Sequence, residues 1–183
     1  MPFGQLVNFV VGDLDQFWRQ NLRSLGRSYT SPRSVISYTR PLNTACGPTY
    51  KNNAAYCVLS HSIYYDSSFL RDIYDDEGDF AVVTVLAHEW GHLAQANMGI
   101  TLDPRYFTIQ KELQADCFAG AYARAAGQRG MLEDGDLREG VTNLFRSGDR
   151  AGTPWFDRDA HGTPQQRASA FIIGLAHGFR RCS

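Results

Sequence analysis

At 183 residues, with 43% hydrophobic and 20% charged residues, the chain is long enough for one domain with a real core and has ordinary globular composition. The formal net charge of -1 and the lack of a basic stripe give no reason to expect nucleic acid as a partner. No apolar run reaches the length of a membrane span.

In chain order, MPFGQLVNFVVG lacks the basic region and small-residue cleavage site of a signal peptide, as would a chain that had already lost one. Residues 1–11 are read as a flexible leading segment. GDLDQFWRQNLRSLG (12–26) predicts a helix with Asp13 as N-cap, Gln16 three residues on and Gly26 as the stop. SVISYT (34–39) and YCVLSHSIYYD (56–66) are rich in β-branched and aromatic residues and predict strands. DFAVVTVLAHEWGHLAQANMG (79–99) is too long and too apolar for a strand, and predicts a mostly buried helix from Asp79 to Gly99. A further helix begins between Pro104 and Thr108 and runs to about Ala126. LEDGDLREGVTNLFRSG (132–148) predicts another, broken by Gly135 or starting after it. The last helix has Thr163 as N-cap, Pro164 at its first position and Gln166 completing a capping box. No repeat or low-complexity linker appears, so residues 1–183 are read as a single domain of α+β class, helix-rich with one small sheet.

The four cysteines, Cys46, Cys57, Cys117 and Cys182, include no C-x-x-C pair. Their even number permits two disulfides in any of three pairings, and four buried thiols are the other reading. Cys46 and Cys57 bracket the turn-rich GPTYKNNAAY and suit its closure.

The chemistry concentrates in VLAHEWGHLAQ (85–95). His88 and His92 stand at i and i+4, so on a helix both imidazoles share one face and can meet one Zn²⁺ at about 2.0–2.1 Å. Glu89 lies beside them, placed to accept a proton from a zinc-bound water. A surface histidine pair is the bland alternative, and the apolar flank VVTVLA argues against it. Gly91 costs about 1 kcal/mol relative to Ala in a helix interior, which a missing side chain beside a metal would explain. A catalytic zinc takes three protein ligands and keeps an open position. A third histidine would have to stand at position 98, which is Met98, so that arrangement is excluded. ELQAD supplies the alternative: Glu112 and Asp116 share a helix face, Glu112 as third ligand and Asp116 as acceptor for the other N–H of a ligand histidine.

H-E-x-x-H followed by E-x-x-x-D resembles the gluzincins, the thermolysin-like zinc peptidases. More narrowly, ACG…YC…IYYDSSF, AHEWGH, ELQADCFAG and HGTPQQR, in this order over roughly residues 10 to 182, resemble the bacterial neutral zinc metallopeptidase family. The resemblance implies a zincin-like (minigluzincin) domain with a small, mainly antiparallel sheet packed on the active-site helix. It implies His88, His92 and Glu112 as zinc ligands, Glu89 as the base, Asp116 as their support, and pairing of Cys117 with Cys182 and of Cys46 with Cys57. The family has a proline and an aspartate in the stretch YCVLSHSIYYD; Val58 and His61 differ.

His161 precedes the capped final helix, where free N–H groups favour anions, and is read as a catalytic donor to the oxyanion, with a tyrosine as the other candidate. Arg167 is read as structural, holding Asp116 or the C-terminal segment; His61 and His177 are given no role. The expected function is a zinc-dependent endopeptidase acting on peptide or protein substrates. The strand ending in SIYYD is read as a sheet edge that adds extended substrate. The alternative is a zinc-binding scaffold of the same fold that hydrolyses nothing. Hydrolysis of a non-peptide substrate lacks a phosphate-cradling loop to support it. Cysteine usage and the resemblance place the protein in bacteria, outside the cytoplasm or tethered to a membrane through a segment not present here.

Overall fold

The computed structural model describes residues 1–182. In chain order the elements are α1 (Phe3–Arg23), β1 (Ser34–Tyr38), β2 (Asn43–Thr44), β3 (Gly47–Pro48), β4 (Ala54–Cys57), β5 (Ser62–Asp66), α2 (Ser67–Asp76), α3 (Asp79–Asn97), α4 (Thr108–Gln128), α5 (Asp136–Arg146) and α6 (Pro164–His177), with a 3-10 turn at Phe179–Arg181. The class is α+β. The main sheet is mixed: in the order β1-β5-β4, β5 runs parallel to β1 and antiparallel to β4, while β2 and β3 form a separate antiparallel ribbon.

α3 is apolar on nearly every side, and α1, α2, α4, α5 and β4 all pack against it. Its first turn carries Asp79, which suits the positive end of the helix dipole, and Gly99 follows its end at φ 78°. From α1 come Leu6, Val7, Val10, Leu14, Phe17, Trp18 and Leu22, at the three- and four-residue spacing of one helix face. That stripe corrects two expectations. Residues 1–11 are not a loose leader, because Leu6, Val7 and Val10 continue the apolar face, and the helix starts at Phe3. Asp13 is therefore mid-helix; instead of capping, it accepts bonds from Tyr122 (2.7 Å) and from both terminal nitrogens of Arg129 (2.6 Å each).

The stretch 56–66 is two strands rather than one. Residues 58–61 turn back between β4 and β5, with His61 in the left-handed region at φ 50°. Tyr56 in one arm and Ile63, Tyr64 and Tyr65 in the other are strand formers, and the turn between them has no glycine or proline, so composition does not reveal it. α2 has no counterpart in the expectations: Asp66 caps it by accepting from Ser68 and Phe69 backbone N–H, and Leu70 and Ile73 bury its inner face. The capping box of α6 forms as the spacing predicts.

Close backbone approaches set the C-terminal half. α4 crosses α6 where Gly120 meets the Phe171 carbonyl and Gly174 meets the Cys117 carbonyl, and a Cβ at either glycine would overlap that backbone. Disulfides Cys46–Cys57 and Cys117–Cys182 tie the β2–β3 region to β4 and the C-terminus to α4. Gly174→Ala should force α4 and α6 apart and lower the unfolding free energy by about 1–3 kcal/mol, the range for overpacking, as measured by urea denaturation.

Candidate metal centre

α3 and α4 meet where Gly91 faces Ala115. A Cβ on Gly91 would lie 2.9 Å from the Ala115 Cα, so the absent side chain serves helix contact rather than space for an ion. That contact brings Glu112 over the two histidines. His88 Nε2 lies 3.0 Å from His92 Nε2, and the Glu112 carboxylate reaches each with a different oxygen at 3.2 Å. A tetrahedral zinc with donors at 2.0–2.1 Å has donor–donor edges of about 3.3 Å. Among the described residues, these three form a group able to hold a metal ion.

The far side of each ring fixes its tautomer. His88 Nδ1 lies 2.7 Å from Asp116 Oδ1, an acceptor when ionised. His92 Nδ1 lies 2.9 Å from Gln95 Oε1, which must be the oxygen end of that amide because Nε2 donates to the Lys111 carbonyl at 2.6 Å. Both Nδ1 atoms therefore carry a proton, and both Nε2 lone pairs point at each other and at a carboxylate. A cation satisfies that convergence. Protons are its competitor: burial works against the imidazolium of His88, but Asp116 and then Glu112 outweigh it and raise the pKa to about 10. His92 is raised in the same way by Glu112 against its burial. Burial opposes the charge on Glu112, yet His92 and His88 hold its carboxyl well below the usual range.

Asp116 is wholly buried, which disfavours its charge, but His88 and Arg167 hold its pKa down. Arg167 of α6 grips it with Nε on Oδ2 and Nη2 on Oδ1, both at 2.8 Å, and its Nη1 donates to the Ser147 carbonyl at 3.0 Å. Arg167 thus holds Asp116, not the C-terminal segment.

Glu89 is buried, and its Oε2 accepts the Tyr56 backbone N–H at 2.8 Å. β4, not β5, is the edge of the sheet on this side; β5 is central, which corrects the placement of SIYYD. With Tyr56 N–H turned outward, the backbone of Ala54 also faces outward, into a cleft of about 630 Å³. The cleft is lined by β4, by His88, Glu89, His92 and Glu112, and by His161. His161 is half-exposed there, its Nδ1 3.5 Å from Asp149 Oδ1. His61 does have partners: Nδ1 meets the Tyr56 hydroxyl at 2.8 Å and Nε2 the Thr30 carbonyl at 3.2 Å. Gln95 escaped the sequence reading, although its i+3 spacing from His92 places it on the same face.

Arg167→Met would leave the Asp116 carboxylate buried without its guanidinium and should cost about 3–5 kcal/mol by denaturant unfolding. In the presence of chelator, the raised His88 pKa contributes stability fully present below pH 6.5 and lost as pH rises to about 10; unfolding free energy should fall across that interval. Zinc, which displaces the same proton, should bind more tightly across it, as competition with a chromophoric chelator would read.

A family profile described as "Putative neutral zinc metallopeptidase" matches residues 2–182. The chain is 32% identical over 196 residues to "Uncharacterized protein YpfJ" of Escherichia coli K12, covering 95% of this chain and 68% of that protein. It is 26% identical over 193 residues to "Uncharacterized protein Rv2575" of Mycobacterium tuberculosis H37Rv, covering 90% of this chain and 64% of that protein. No solved structure gives a significant match.

Proposed function

The chain belongs to the neutral zinc metallopeptidase family, and from that membership and the convergence of His88, His92 and Glu112 we propose that it is a zinc-dependent endopeptidase. The observation that carries the reading is the pair of fixed tautomers, which aims two Nε2 lone pairs and a carboxylate at one point. Two nitrogens and one oxygen at these separations fit the His₂Glu set of catalytic zinc and leave a fourth position free. When bound there, zinc supplies a nucleophile by lowering the pKa of its water to about 7, and polarises the scissile carbonyl.

The protein groups do the rest. Glu89 takes the proton of the attacking water and returns it to the leaving amine. Its Oε2 is tied to β4, which leaves Oε1 for that transfer. Asp116, held by Arg167, keeps His88 in the ligating tautomer. The outward backbone of β4 offers an extended peptide a strand to pair with. His161, which lines the same cleft, donates to the oxyanion as the peptide carbonyl becomes tetrahedral.

Two disulfides are stable in an oxidising compartment, which supports a site of action outside the cytoplasm. No helix among the described residues is long and apolar enough to cross a membrane.

Glu89→Gln keeps the hydrogen bond from Tyr56 N–H but cannot take a proton. Zinc content should stay at wild-type level while peptide hydrolysis falls by about 10²–10⁴-fold. Equal hydrolysis in the variant would remove Glu89 as base. Full zinc occupancy of the wild-type protein, with no cleavage across a broad peptide library, would favour the zinc-binding scaffold.

A further inference from the structure

Gln95 is almost wholly buried, at 1% exposure, in an otherwise apolar stretch of α3. A buried amide needs partners for both its ends. The oxygen takes the Nδ1 proton of His92 at 2.9 Å. The nitrogen spends both its protons across the helix interface, on the Lys111 carbonyl at 2.6 Å and on Gln114 Oε1 at 3.0 Å. Gln114 in turn donates from Nε2 to the Cys182 carbonyl at 3.0 Å. Cys182 is bound through sulfur to Cys117, one turn along α4 from Gln114. Gln114, Cys182 and Cys117 therefore close a ring through α4, and Gln95 links His92 to it.

Each amide in this network has one polarity available. Because the Lys111 and Cys182 carbonyls only accept, Gln95 and Gln114 must turn their nitrogens toward them. That leaves Gln95 Oε1 facing His92 and no donor that could reverse the imidazole. His88 is held by a charged pair, Asp116 and Arg167, whereas His92 is held by neutral amides whose far end is the C-terminal backbone.

We infer that Gln95 and Gln114 are positioning residues for His92, and that the Cys117–Cys182 disulfide is the anchor of that support. The inference rests on the proposed zinc site, and its failure is separable from failure of that reading. If wild-type protein holds no zinc, the site assignment falls; if wild-type protein holds zinc and the variants below hold it equally well, only the relay falls.

The experiment measures zinc dissociation constants by chelator competition for wild type, Gln95→Leu, Gln114→Leu and the double variant Cys117→Ala/Cys182→Ala. Melting temperatures of the chelator-treated proteins are recorded alongside. Gln95→Leu should weaken zinc binding by about 10–100-fold, the usual effect of losing a ligand's hydrogen-bond partner, with smaller losses in the other two. A glutamine that only fills the core would lower the melting temperature and leave the zinc constant of the folded protein unchanged; that result overturns the inference. Should Gln95→Leu not fold, unaltered zinc affinity in both Gln114→Leu and the cysteine variant overturns it equally.

Discussion

Two imidazoles and two carboxylates are buried or half-buried between α3 and α4, and the rest of the architecture answers to that fact. Taking such groups out of water is costly unless each is paired. Here every one of them is: His88 with Asp116, His92 with Gln95, Glu112 with both rings, Asp116 with Arg167. The pairing needs the two helices to approach closely, which is why Gly91 faces Ala115. It also needs α4 to be held from behind, which α6 does by crossing at Gly120 and Gly174. A helix free to slide along its neighbour would part the Glu112 oxygens from the rings they meet.

The supports of the two histidines differ in kind. Asp116, kept ionised in part by Arg167, is charged, so it raises the basicity of His88 and works through low dielectric. Gln95 is neutral, so it orients His92 without adding charge. Glu89 has a third kind of support, a backbone N–H from the sheet edge. The side chains proposed to act together are thus fixed from three directions: the final helix, the disulfide-bonded C-terminus and β4. The Cys46–Cys57 bridge sits at the end of β4 and holds that edge strand to the preceding ribbon.

Much of the helical framework could be read directly. The apolar run 79–97 is continuous enough to specify a buried helix, and the Thr163–Pro164–Gln166 start of α6 is a local code for a cap. Where local signals pointed to the wrong partner, the reading slipped. Asp13 has the form of an N-cap, but Leu6, Val7 and Val10 find a core to pack against and carry the helix past it. The turn at 58–61 carries no glycine or proline, and His61 takes the left-handed conformation with its ring bonded to Tyr56 and Thr30. The choice of β4 over β5 as the edge strand follows from β1 pairing on the other side, a contact between segments far apart in sequence.

The sequence by itself determined the chemistry within each helix: His88, Glu89 and His92 on one face, Glu112 and Asp116 on another, because residues one turn apart on a helix must be neighbours. Tertiary structure alone decided which of those faces meet and what stands behind them. Arg167 is 51 residues from Asp116 and Gln114 is 68 from Cys182, and no local rule relates such positions. Only packing brings them together, because buried polar groups must find partners wherever the fold delivers them.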